Sequence, residues 1–220
     1  MDGERLFKFL KKQKENDLLE FLQSSFNYMD TEQRRSVFGK FYNQIEPGRI
    51  NGKKLLQKIQ KFEKDSFAGE YYAPFEINSK NFSEIPQETE MWFEELNELL
   101  SSSTQLSKQG DHAVAIECFS ILYDLISDMD SGEEIVFADE YGSWMIPGDE
   151  KEYIRAYITS LAKMKSPEDF SDLVIPLIRR DSYESFVNKV YNFAIKVATD
   201  EQKSYLNKAI KSKKIKTKYK

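Results

Sequence analysis

The residues with the densest capacity for chemistry lie between 128 and 150, where eight carboxylates occur without a lysine or arginine. Asp128, Asp130, Glu133, Glu134, Asp139 and Glu140 form the core of this run, and Tyr141 and Trp144 follow within it. Carboxylates at such spacing raise the question of calcium. An EF-hand loop needs oxygen ligands at positions 1, 3, 5 and 12 and a glycine at position 6. Counted from Asp128, Gly132 falls at position 5 and Glu133 at position 6, so the register is wrong. Zinc would need several Cys or His ligands, and the chain holds one of each, Cys118 and His112. No Ser-His-Asp set, nucleophile elbow, phosphate-binding glycine loop or dinucleotide fingerprint is present. The reading is therefore a protein without catalytic signature, metal or cofactor. His112 is expected at a helix start facing solvent, and Cys118 is expected to pack on a helix flank.

The acidic run is positioned by the stretch before it. Gly110 separates Leu106 from Ala113, Ile116, Phe119, Leu122, Tyr123 and Ile126, whose spacings of three and four residues are those of a helix with one buried face. Asp111 stands where a side-chain oxygen would cap that helix. Upstream, a long helix over about 88–107 is expected to bury Trp92, Leu96, Leu99, Leu100 and Leu106. The inner piece of the acidic run alternates Ile135 and Phe137 with acids before Tyr141 and Trp144. It is either a loop folded over a core edge with Trp144 as its plug, or a recognition patch.

Helical periodicity continues on both sides. Residues 4–14 make a short amphipathic opening, and Asn16 or Asp17 starts a helix through Leu18, Leu19, Phe21, Leu22 and Phe26. Asp30, with Gln33 three residues on, is close to a capping box and opens a helix with Val37, Phe38, Phe41, Tyr42 and Ile45 inward, ended by Pro47-Gly48. Leu55, Leu56, Ile59 and Phe62 give the inner face of a helix over 52–67. Residues 68–86, with two prolines, a glycine and interspersed aromatics, read as an extended connector whose Tyr71, Tyr72, Phe75 and Phe82 cover core. Beyond the acidic run come a helix from Tyr153 to Met164 and one begun by Ser166-Pro167 that Pro176 is expected to bend. Two more span 182–197 and the stretch from Asp200 through Tyr205, Leu206 and Ile210.

Gly110, Ala115, Phe119 and Leu122 resemble the second half of a tetratricopeptide unit, although no copy recurs at that family's period of about 34 residues. The order LLEFLQSSFNYMDTEQRRSVF, aromatic connector, long helix, GDHAVAIECF and DMDSGEEI, over residues 15–165, resembles bacterial helical-repeat regions of tetratricopeptide or HEAT-like type, some found beside SWIM-type zinc fingers. The resemblance implies a stacked helical scaffold. The Cys-x-Cys and Cys-x-His ligands of a SWIM finger are absent, so neither its zinc nor its nucleic-acid role carries over.

Composition agrees with this class. Apolar residues make up 40% and charged residues 31% of 220. Sixteen Phe and 12 Tyr against nine Gly and six Pro favour long helices with aromatic packing. No apolar run approaches the ~18 residues of a membrane span. The N-terminus lacks a signal-peptide core, and a single cysteine excludes an internal disulfide, so a cytoplasmic location is expected. The net charge of -5 conceals segregation. Residues 1–65 carry 14 basic and 10 acidic side chains, residues 66–150 carry 2 and 19, and residues 151–220 carry 16 and 8. The expected architecture is all-α, irregular stacked helical hairpins (a superhelix or bundle) with one extended aromatic connector. Residues 1–207 form one domain, divisible into 1–67 and 87–207 about the connector, and a basic tail follows at 208–220. The expected function is non-catalytic protein–protein interaction or scaffolding. Its acidic middle, residues Asp128, Asp130, Glu133, Glu134, Asp139, Glu140, Tyr141 and Trp144, meets a basic partner. The alternative is nucleic-acid association through the basic flanks and Lys208, Lys211, Lys213, Lys214, Lys216, Lys218 and Lys220. That tail reads first as a solvated helix end, since lysines suit a helix C-terminus.

Overall fold

The computed structural model of the chain describes residues 3–30, 33–34, 36–38, 49–137, 142, 145–180 and 184–215, and of residues 180 and 184–188 the backbone alone. By its contacts the chain divides into two compact units, Met1–Gly48 and Arg49–Lys220. The connector at 68–86 lies inside the second unit. Every described element is helical, and no strand occurs among the described residues.

The first unit contains α1 (Gly3–Leu10) and α2 (Glu15–Tyr28). Neither helix buries a residue. The expected helix through Leu18, Leu19, Phe21, Leu22 and Phe26 is present as α2, with Leu18 and Phe26 half-buried and Leu19, Phe21 and Leu22 exposed. Phe26 meets Phe38 edge-on at 5.4 Å, and the Arg34 guanidinium covers the Phe26 ring while its Nε donates to the Phe26 carbonyl at 2.9 Å. The expected capping box is present. The Gln33 amide donates to Asp30 Oδ1 at 2.8 Å, and the Asp30 amide donates to Gln33 Oε1 at 3.3 Å. Phe41, Tyr42 and Ile45 lie outside the described residues.

The second unit is built from α3 (Gly52–Phe67), α4 (Gln87–Lys108), α5 (His112–Asp130), α6 (Glu150–Met164), α7 (Pro167–Arg180), α8 (Glu184–Val197) and α9 (Asp200–Ser212). Helix α3 packs on α4 and α5, α4 on α5 and α6, and α5 on α6. Helix α6 then packs on α7 and α8, and α7 on α8 and most extensively on α9. The core of this unit includes Ile59, Phe62, Trp92, Phe93, Leu96, Phe119, Leu122, Ile126, Ile158, Leu161, Phe170, Val174, Leu206 and Ile210. The indole of Trp92 stacks on Phe62 at 5.8 Å, and its N–H donates to Ser66 Oγ at 2.9 Å, so the largest core side chain leaves no polar atom unpaired.

Caps fix the helix ends. Asn51 accepts from the Lys54 amide, Asp149 from the Lys151 amide, and Ser166 from the Asp169 amide. Thr199 and Gln202 make a complete capping box at the start of α9 that the sequence reading missed by one position. At the end of α4, the Asp111 amide donates to the Leu106 carbonyl and the Gly110 amide to that of Ser107. This Schellman pattern requires the left-handed backbone that Gly110 adopts at φ +88°. Helix α9 closes with the same pair of bonds, but Lys214 occupies the left-handed position at φ 53° and Ile215 packs back on the core. The first part of the lysine-rich tail is thus a capped helix end.

The connector carries no regular element. Tyr71 lies edge-on to Phe62 at 5.5 Å and donates its hydroxyl to Glu95 at 2.9 Å, while Tyr72 and Phe75 close on Phe137. Phe82, expected over the core, is 69% exposed. A connector held at two points need not bury its remaining aromatics. The loop between α5 and α6 ends at Gly148, which has φ +95° and lies against the hydrogen bond from the Tyr153 hydroxyl to Asn97 Oδ1. A β-carbon there would collide with both partners. Gly148→Ala is therefore expected to lower stability by about 2 kcal/mol or more, read as a reduced urea midpoint with an unchanged far-ultraviolet spectrum.

Candidate functional site

The acidic stretch begins as the last turn of α5. Asp128 is half-buried and Asp130 exposed there, and Gly132 at φ +92° turns the chain so that Glu133 and Glu134 follow in solvent. No basic residue occupies the last turn of α5, where the negative end of the helix dipole favours one. Asp124, one turn before Asp128, joins the group. Its side chain is exposed, but partial desolvation by its neighbours first, and then the like charge of Asp128, raises its carboxyl above the ordinary range. Among the described residues no ion pair engages Asp124, Asp128, Glu133 or Glu134. Asp124 escaped the sequence reading because the acidic run was counted from 128. Its signal was the four-residue spacing to Asp128, which places both on one helix face.

Other members of the sequence-derived set lie apart. Asp130, with Ser127, lines an open depression of about 420 Å³ shared with Asp172, Ile175, Pro176, Arg179 and Lys213. The acidic middle and the basic tail thus meet at one place. Asp139, Glu140, Tyr141 and Trp144 lie outside the described residues, as do Lys216, Lys218 and Lys220. Lys208 stands over the Tyr205 ring at 5.7 Å, and Lys211, Lys213 and Lys214 are exposed on the last turn and cap of α9. In the described part of the acidic loop, Ile135 and Val136 are buried and Phe137 is wedged among Tyr72, Phe75 and the Thr89 hydroxyl, which donates to its carbonyl at 2.9 Å. Phe137 thus anchors the loop upstream of Trp144.

At the opposite, N-terminal end of α5 the interior is polar along one line. Ser107 Oγ donates to the Ala156 carbonyl at 3.0 Å and lies 2.7 Å from Ser160 Oγ, and His112 Nδ1 lies 3.1 Å from Ser160 Oγ. Each hydroxyl has one proton. The Ser107 proton goes to the carbonyl, so Ser160 must donate to Ser107 and His112 Nδ1–H must donate to Ser160. In this arrangement His112 is a donor to Ser160 and not its base, and the serine is no activated nucleophile. His112 is half-buried, correcting the expectation of a solvent-facing side chain. Asp111 stands at the N-cap of α5 but makes no side-chain cap bond, a second correction. Its backbone, with ψ near 60°, departs from the extended form of a capping residue, and its carboxylate lies against the first turn of α3 at Gly52. Cys118 is buried as expected, and burial pushes its thiol up to about 11, well away from nucleophilic thiolate at neutral pH. Tyr157 stacks on Phe119 and Tyr123 and pairs its hydroxyl with Ser120 at 2.8 Å. Burial raises the Tyr157 phenol, Asp124 adds to this, and the Ser120 bond opposes it.

The described residues contain no group of three or more His, Cys, Asp or Glu side chains arranged to hold a metal ion, and no described helix is long and apolar enough to cross a membrane. The described residues define an all-helical protein in which acidic side chains gather at the C-terminal end of α5. No family model, curated protein or solved structure matches the chain.

Two measurements probe this geometry. Ser160→Ala removes the acceptor of His112 and the donor to Ser107, at an expected cost of about 1–2 kcal/mol, read by urea unfolding. Asp124 holds its proton more tightly in the folded than in the unfolded chain. Its ionisation therefore costs stability as pH rises from the ordinary value of 3.8 through the raised one. Asp124→Asn should raise the thermal midpoint at neutral pH, with the gain vanishing below the ordinary carboxylate range. Equal midpoints at neutral pH would contradict the assignment.

Proposed function

We propose that this chain is a non-catalytic binding module whose acidic surface, at the C-terminal end of α5 and the turn after it, receives a basic protein partner. One observation carries the reading. Asp124 and Asp128 stand together near the negative end of the helix dipole, Glu133 and Glu134 follow, and no ion pair engages any of the four among the described residues. Each such charge at a helix C-terminus costs stability, about 0.3–1 kcal/mol. Self-repulsion of this kind is relieved by a cationic partner, and surfaces of one sign steer such partners and raise their encounter rates. Asp130, Asp139, Glu140, Tyr141 and Trp144 continue the same stretch, and the two aromatics would supply the anchors that dominate interface energetics. The serine and histidine arrangement supports the absence of acyl-transfer chemistry, because its protons run away from the nucleophile position.

The test sets stability against binding. Asp128→Asn, Glu133→Gln and Glu134→Gln are combined, and poly-lysine serves as the defined probe beside basic proteins retained from a lysate. The combined variant is expected to unfold at a temperature higher by a few degrees while losing retention of both. Undiminished retention would overturn the reading. Nucleic acid retained equally by both proteins, in a strongly salt-dependent manner, would transfer function to the lysines of α9.

A further inference from the structure

We propose that α1 is an interfacial helix that seats this protein on an anionic membrane surface. The argument begins with burial. Among the described residues of the first unit none is buried, and Phe7 and Phe9 are 64% and 61% exposed. At about 100° per residue, half-buried Leu6 and Leu10 and exposed Phe7 and Phe9 share one side of α1, and Arg5 and Lys8 fall opposite together with Glu4, with Lys11 and Lys12 continuing that side through the following turn. Leu19, Phe21 and Leu22 on α2 add exposed apolar surface within the same unit.

Charge selects the occupant. Residues 5–14 contain five cations and no acid. A partner helix or groove covering the apolar side would leave these cations in solvent, where they add nothing to its binding. A bilayer of anionic lipids answers a diffuse run of cations without matched positions, each Lys or Arg near the surface adding attraction. It also provides the broad apolar slab that a Phe- and Leu-rich face enters, to about 5–10 Å, while the lysines stay among the headgroups. A short apolar face alone binds weakly, and a polybasic neighbour supplies the second signal that makes such attachment stable. Both signals sit on α1 and the turn after it. The proposal uses none of the residues at the acidic end of α5 and does not rest on the binding reading given above.

The experiment is co-sedimentation of the full chain with vesicles of equal parts phosphatidylglycerol and phosphatidylcholine, against pure phosphatidylcholine, at low and high salt. Binding is expected with the anionic vesicles alone and should weaken with salt. Phe9→Asp should reduce it about tenfold or more, and Lys8→Glu with Lys12→Glu should abolish the preference for anionic lipid. Circular dichroism of the variants confirms that the helices of the second unit persist, and Phe9→Leu, which keeps an apolar side chain, should retain binding. Failure to sediment with anionic vesicles would overturn the proposal. So would sedimentation unchanged by Phe9→Asp, which would assign it to the lysines of α9. A concentration-dependent dimer dispersed by Phe9→Asp, without vesicle binding, would overturn it in favour of a second copy on this face.

Discussion

The 2.7 Å contact between Ser107 and Ser160 measures how closely α4 and α6 approach, and much of the second unit depends on that approach. Two helices meet at side-chain hydroxyls only when both present small residues at the crossing. Helix α4 offers buried Ser103 and Ser107, four residues apart, and α6 offers Ala156 and Ser160 with the same spacing. Helix α5 contributes Ala115 and Cys118 to the same interior. The hydroxyls are satisfied in place: Ser103 donates to the Leu99 carbonyl, Ser107 to that of Ala156, and Ser160 to Ser107. A buried polar chain is tolerable only when every member is paired, and here it ends on a half-buried histidine that reaches toward solvent. With this seam closed, α4 can also turn Trp92 and Phe93 toward α3 and complete a second layer of aromatic packing around Phe62.

The charge distribution follows a different logic. Exposed pairs such as Lys58 with Glu95 and Glu98, at 3.5 and 3.8 Å, add little to stability. The end of α5 works against stability, because like charges gather where the helix dipole is already negative. Packing of α5 against α4 and α6 supplies the excess that tolerates it. A protein can hold an unfavourable surface only where a well-packed interior offsets it, and the acidic helix end belongs to a helix whose face is buried from Ala115 to Met129. Helices α1 and α2 reverse the balance, with apolar side chains exposed and no residue of either helix buried.

Much of the fold was legible in local pattern. The period of three and four residues identified α3, α4 and α5 with their inner faces, since a helix propagates its own geometry and needs only one apolar stripe to reveal which side is inward. Caps at Asp30 with Gln33 and at Ser166 before Pro167 are short-range bonds that the local sequence announces. Ala113 shows the limit of this: it fits the apolar spacing yet is exposed, while Ala115 is fully buried. Small side chains carry no periodic signal strong enough to decide which one lies at a helix crossing.

The sequence by itself determined that the chain is helical, where the helices of the second unit run, and that its charges are segregated by sign, because each of these is written in neighbours a few residues apart. Tertiary structure alone decided that Ser107, His112 and Ser160 share one hydrogen-bonded chain and that Asp130 and Lys213 line one depression. It also decided that Phe82, Phe7, Phe9, Leu19, Phe21 and Leu22 remain exposed. These outcomes depend on which surfaces meet across tens of residues, and side chains of the same type are indistinguishable in sequence until packing assigns one to the interior and another to water.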